Sequence, residues 1–133
     1  MTTGRTSNEH AKSRLRIGFD VSLTGRDKAG CGHYTAELIR HLATRDTTNE
    51  YLLYPNVGDV NWDPQWENSA FNSAQANFRC WSVAQSFAES QSFWRNPGSD
   101  FEARLGRPDI VHANSFFCPH GLKHARLVYT LYD

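Results

Sequence analysis

The chain has 133 residues, of which 39% are hydrophobic and 13% aromatic; this length allows one domain-sized core, and the aromatic content argues against a disordered polymer. Fourteen Lys and Arg balance fourteen Asp and Glu, so no net positive field exists to hold a nucleic-acid backbone, and nucleic acid is excluded as the main partner. Cys31, Cys80 and Cys118 form no Cys-x-x-Cys pair and are expected to be free thiols.

Met1 to Ser13 is polar and aperiodic, which predicts a disordered tail rather than a signal peptide. No stretch approaches the roughly 20 apolar residues of a membrane span, so the expected compartment is the cytoplasm. From Arg14 to Val21, Leu15, Ile17, Phe19 and Val21 alternate with Arg14, Arg16, Gly18 and Asp20, the period-two pattern of a strand. Ser22 to Gly32 holds Gly25, Gly30 and Gly32 among charged residues and reads as a loop. His33 to about Arg45 follows as a helix, with Tyr34, Leu38 and Leu42 on one face and Glu37, Arg40, His41 and Thr44 on another.

Glu50 to Tyr54 is a short apolar run stopped by Pro55-Asn56, a second and buried strand. The stretch from Val57 to Ala76 has no clear period, and its Trp62 and Trp66 fit either a cap on the core or a contact with a partner. Phe78 to Val83 reads as a third strand, and Gln85 to Leu105 as helical pieces broken near Asn96-Pro97-Gly98. Two further strands are expected at Pro108 to Asn114 and Ala125 to Tyr132.

Strand, glycine-rich loop, helix and strand make a unit whose two strands become parallel neighbours, with the loop at the carboxyl edge where α/β sheets bind ligands. The expected fold is therefore α/β, an incomplete Rossmann-like three-layer domain with a mainly parallel sheet over residues 14–133. Its last strand would lack a covering helix and leave apolar surface or an unpaired edge exposed.

Gly30-Cys-Gly32-His33-Tyr34-Thr35 stands where the loop enters the helix, a place where backbone N–H groups approach a phosphate closely. It is not a Walker loop, and Thr35 replaces the third glycine of a dinucleotide fingerprint. An acidic residue after the second strand is also missing, which counts against nicotinamide or flavin; a plain mobile loop is the simpler alternative. His112, Asn114, Cys118, His120 and His124 are the densest set of metal-ligand types, but their spacing fits no zinc pattern, and no metal is expected. Tyr132 and Asp133 end the last strand, where they either reach the same crevice as His112 and the glycines or belong to packing and a solvated turn.

In order, Arg16-Ile-Gly-Phe-Asp20, Gly30 to Thr35 with Glu37-Leu38, Asn49 to Leu52, Asp109-Ile-Val-His112 and Val128 to Asp133 resemble the opening of retaining family-4 glycosyltransferases. The resemblance implies the acceptor-side domain of a GT-B enzyme, in which two Rossmann-like domains face each other across a cleft. It places Gly30, Gly32 and His33 against the donor diphosphate, and Asp20, His112 and Asn114 in the acceptor pocket. Tyr132 falls where many relatives carry a histidine before aspartate, which puts a catalytic role for Tyr132 and Asp133 in doubt. The implied substrates are a nucleotide sugar and a glycan or lipid-linked acceptor at the cytoplasmic membrane face, with no cofactor and no metal. The family's paired glutamates and donor-phosphate basic residues belong to a second domain absent from these 133 residues, so this chain alone is expected to be inactive. Alternatives are a dinucleotide-binding module of another class, or a non-catalytic interaction domain that uses the exposed last strand.

Overall fold

The computed structural model describes residues 13–25, 27–57, 75–84 and 86–133. The expected tail up to residue 12 and the segment with Trp62 and Trp66 lie outside the described residues. The elements in chain order are β1 (Arg16–Asp20), α1 (Gly30–Arg45), β2 (Glu50–Tyr54), β3 (Phe78–Cys80), α2 (Phe87–Phe93), α3 (Phe101–Arg104), β4 (Ile110–Ala113) and β5 (Arg126–Tyr129). The five strands form one sheet in the order β3-β2-β1-β4-β5, and every pairing is parallel. Chain order reverses between β1 and β4, as in Rossmann-like doubly wound folds.

Side chains alternate across each strand, so the sheet has two buried faces. On one face Phe19, Tyr51 and Leu53 pack beneath Ile39 and Ala43 of α1, and Tyr51 stacks on Phe78 with ring centroids 4.1 Å apart. On the other, Leu52, Tyr54 and Val111 meet Phe93, Trp94, Phe101 and Leu105 from α2, α3 and their flanks. The helices therefore lie on both faces, and the three-layer arrangement expected from the strand and helix alternation is present. Among the described residues no helix is long and apolar enough to cross a membrane.

Three expectations need adjustment. First, the strand expected from Ala125 to Tyr132 stops at Tyr129. In β1 Gly18 and Asp20 are covered as well as Phe19, because a central parallel strand has helices over both faces. Gly18 is required there, because a Cβ would come within 1.9 Å of the Tyr54 hydroxyl. Second, α1 begins at Gly30 rather than His33, since glycine is tolerated in a first turn whose N–H groups have no intrahelical acceptor. Third, β3 ends at Cys80, although Trp81 N still donates to Leu53 O at 2.8 Å.

The helical stretch does divide at Asn96 to Gly98, as the Pro-Gly pair predicts. Ser86 caps α2 by accepting from Glu89 N, and Arg104 ties α3 back to Glu89 and to Val83 O. Between β4 and β5 the chain runs as a loop whose Phe117 and Leu122 pack on the larger core. Among the described residues no helix covers β5, and Leu127 and Val128, on opposite faces of the sheet, are both exposed.

Candidate functional site at the carboxyl edge of the sheet

Strand order reverses between β1 and β4, and open α/β sheets bind ligands beyond the carboxyl ends of strands at such a point. Buried polar residues gather at this edge: Asp20 at the end of β1 with Ser22 and Thr24 after it, Asn114 and Ser115 after β4, and Thr35 in α1. An edge made only for stability would hold apolar side chains or fully paired polar ones.

Asp20 is 1% exposed. Its Oδ1 accepts from Ser22 N at 2.9 Å and from Ser22 Oγ at 2.6 Å, while Oδ2 is buried with no hydrogen-bond partner. Burial pushes the carboxyl above its ordinary value, against lowering influences from Ser22, the Ser115 hydroxyl and the Asn114 backbone amide. The last two lie near the carboxyl without closing a hydrogen bond on Oδ2.

A second polar chain joins three strand ends. His112 Nε2 lies 2.9 Å from Thr130 Oγ1, which donates to Asn114 Oδ1 at 2.7 Å. Asn114 Nδ2 donates in turn to the main-chain oxygen of Asp20 at 3.3 Å. His112 and Phe19 are partners in the β1–β4 register, and their rings lie 4.3 Å apart. Burial lowers the His112 pKa, which keeps the ring neutral at pH 7.

The third group surrounds the start of α1. Ala29 provides no side-chain cap, and the first turn contains no acid, so the positive helix end is uncompensated. The two glycines differ. A Cβ on Gly30 would meet nothing within 4 Å, whereas one on Gly32 would lie 2.0 Å from Leu23 O. Gly30 thus leaves open space at the helix end, and Gly32 lets the β1–α1 loop pack on the helix. His33 is exposed in the same turn.

Tyr132 reaches across to this turn, its hydroxyl 3.4 Å from both Thr35 Oγ1 and Cys31 O, and its ring stands edge-on to Tyr34. Burial is the main influence raising its phenol above the ordinary value. A neutral phenol can donate or accept a hydrogen bond but is no base at pH 7. Asp133 is exposed beside it.

Gly30, His33, Asp20, His112, Asn114 and Tyr132 therefore lie along one edge of the sheet. Sequence reasoning missed Ser22, Thr35, Ser115 and Thr130. Their signal was a polar residue placed directly after the apolar run of a strand, or one turn into the helix that follows.

The metal-ligand types near β4 do not assemble. His112 stands at the carboxyl end of β4, while His124 borders a hollow beside Ile110 at the amino end, and no metal-holding group of three occurs among the described residues. Surface hollows of about 360, 370 and 320 Å³ lie along that amino edge around Arg107, Asp109 and His124. The acids there serve the fold: Glu50 pairs with Arg16 and Arg79, Asp109 accepts from Arg16 N, and Glu102 accepts from the backbone of residues 123–125. The carboxyl edge, with polar groups left open, is the better candidate.

The chain is an α/β protein with a Rossmann-like parallel sheet, and this edge is its candidate site. No protein-family model, curated protein or solved structure matches the chain.

Proposed function

We propose that the chain is part of the acceptor-side domain of a nucleotide-sugar-dependent glycosyltransferase of GT-B architecture, one that moves a hexose such as mannose to a glycan or lipid-linked acceptor. The observation that carries this reading is the uncapped amino end of α1, open at Gly30 and set beside Tyr132 at the edge where strand order reverses. Exposed N–H groups and the helix dipole attract a diphosphate and would share the charge that develops on it as a leaving group. His112 and Asn114 lie at the end of β4, where an acceptor sugar would bind; Tyr132 lines the pocket without transferring a proton.

In this reading a second domain supplies most of the contacts to the nucleotide sugar, and this chain binds and orients without catalysing transfer by itself. The reaction class needs no metal, and an enzyme acting on lipid-linked acceptors would work in the cytoplasm, peripherally at the inner membrane face.

The test is a titration of the ¹⁵N-labelled chain with nucleotide sugars, followed by amide shifts. Weak binding, on the order of millimolar, with shifts confined to Gly30–His33 and Thr130–Asp133, is expected. A stronger response to NAD would move the assignment to a dinucleotide-binding module. Silence towards all nucleotides would refute the diphosphate site.

A further inference from the structure

The polar chain across β1, β4 and β5 fixes the position of a hydrogen that its distances alone do not reveal. The main-chain oxygen of Asp20 can only accept, so the Asn114 side-chain atom facing it is the amide nitrogen, and Asn114 Oδ1 turns to Thr130. That Oδ1 can also only accept, and it takes the single hydroxyl hydrogen of Thr130. Thr130 Oγ1 then meets His112 Nε2 only as an acceptor, which places a hydrogen on Nε2.

A neutral imidazole carries one ring N–H, so Nδ1 keeps its lone pair. Nδ1 has no hydrogen-bond partner among the described residues, and it is not sealed from solvent; the sealed and unpartnered side-chain atoms are Asp20 Oδ2 and Trp94 Nε1. Contact with the Phe19 ring limits how far the imidazole can turn.

We propose that His112 Nδ1 is a fixed acceptor for a hydroxyl group of the ligand, oriented by Thr130 and Asn114 from the backbone of Asp20. His112 is the binding residue, and Thr130 and Asn114 are positioning residues. A lone pair repels phosphate and carboxylate oxygens, so this position takes a hydrogen-bond donor such as a hydroxyl, while the end of α1 attracts an anion. Identifying the hydroxyl as a sugar's rests on the glycosyltransferase reading; the tautomer does not.

Long-range ¹H–¹⁵N spectra of the full 133-residue chain, with labelled histidine, test both parts. At pH 7 the Nε2–H tautomer is expected for His112, retained in Thr130→Ser and mixed with the Nδ1–H form in Thr130→Val. An Nδ1–H tautomer in the unsubstituted chain, or an unmixed Nε2–H tautomer in Thr130→Val, overturns the positioning. Methyl α-mannopyranoside is expected to move the Nδ1 resonance where inorganic phosphate does not, and to bind about tenfold more weakly to His112→Phe. An Nδ1 resonance unmoved by the glycoside, or moved by phosphate, overturns the ligand class. Failure of the glycosyltransferase reading shows elsewhere, as silence of the Gly30–His33 amides towards nucleotide sugars, and leaves the tautomer result standing.

Discussion

Replacing Gly32 by alanine separates packing from helix propensity, because the two effects have opposite signs. Alanine is favoured over glycine in a helix by up to about 1 kcal/mol, and by less in a first turn such as that of Gly32. At Gly32 the new Cβ would lie 2.0 Å from Leu23 O, 2.7 Å from Lys28 Cβ and 3.1 Å from Leu23 C. Two of those atoms are backbone, in a loop already held by Thr24 N and Thr24 Oγ1 donating to Val21 O. Relief therefore requires the loop and helix to separate, not a side chain to turn.

Overpacking costs typically about 1–3 kcal/mol, and a contact this short belongs at the upper end. The net expectation for Gly32→Ala is a loss of about 2 kcal/mol, equivalent to roughly 6–10 °C in Tm for a domain of this size. Gly30→Ala is the control: it is in the same turn and gains the same methyl, but nothing lies within 4 Å of it. Thermal and urea denaturation of both variants should show Gly32→Ala destabilised and Gly30→Ala unchanged or slightly stabilised. If Gly32→Ala is as stable as the parent, the assignment of Gly32 to loop–helix packing is wrong.

Three further expectations concern the polar framework. Because burial raises the Asp20 carboxyl, the folded state holds its proton longer than the unfolded state does, and stability falls as pH rises from 3.8 towards the folded value. Asp20→Asn should remove that fall and be more stable at pH 7 by about 1 kcal/mol, with no gain at pH 3, as read by urea denaturation at each pH. Asp46 behaves oppositely: burial alone would raise it, but hydrogen bonds from Asn49, Tyr51 and Thr48 bring it down to about 2. The stabilisation from Asp46 is present above 3.8 and lost as pH falls towards 2. Asp46→Asn should cost about 1 kcal/mol at pH 7, after allowance for solvent screening, and flatten the acid limb of the stability curve. Tyr54→Phe removes a buried hydrogen bond of 2.8 Å to Leu105 O and should cost about 1–2 kcal/mol by the same denaturation assay.

The elements that sequence reasoning located are those whose cause is local. The apolar run of β2 stops at Pro55, the helical stretch breaks at Pro97-Gly98, and β4 begins just beyond Pro108; each boundary follows from a residue's own backbone chemistry. The start of α1 was misplaced because Gly30 and Gly32 read as loop residues. What makes Gly32 suitable for a helix is the approach of Leu23 O, a contact that spacing does not reveal. The same holds for Asp20. In sequence it is one polar member of an alternating strand, and only the position of β1 at the centre of the sheet, between β2 and β4, shows that its carboxylate is buried. His112 was legible as a residue near the end of β4, whereas Tyr132, expected to end the last strand, lies three residues beyond β5. Thr130, which joins His112 to Asn114, was not, because its role depends on the pairing of β5 with β4.

The two edges of the sheet treat polar groups differently, and this contrast supports placing function at the carboxyl edge. At the amino edge, charged side chains are matched to partners: Arg16 to Glu50 and Gly106 O, Glu50 also to Arg79, and Glu102 to three successive backbone N–H groups. These pairings fix the register of β1, β2 and β5 and would serve any protein with this topology. At the carboxyl edge three groups have no partner among the described residues: Asp20 Oδ2, His112 Nδ1 and the uncapped end of α1. Leaving a buried carboxylate oxygen unpaired costs stability, and Asn at position 20 could keep the bonds from Ser22 without that charge. A sequence that matches the charged groups of its amino edge, yet leaves acceptors and donors open along the other, departs from local consistency where a ligand would complete the set.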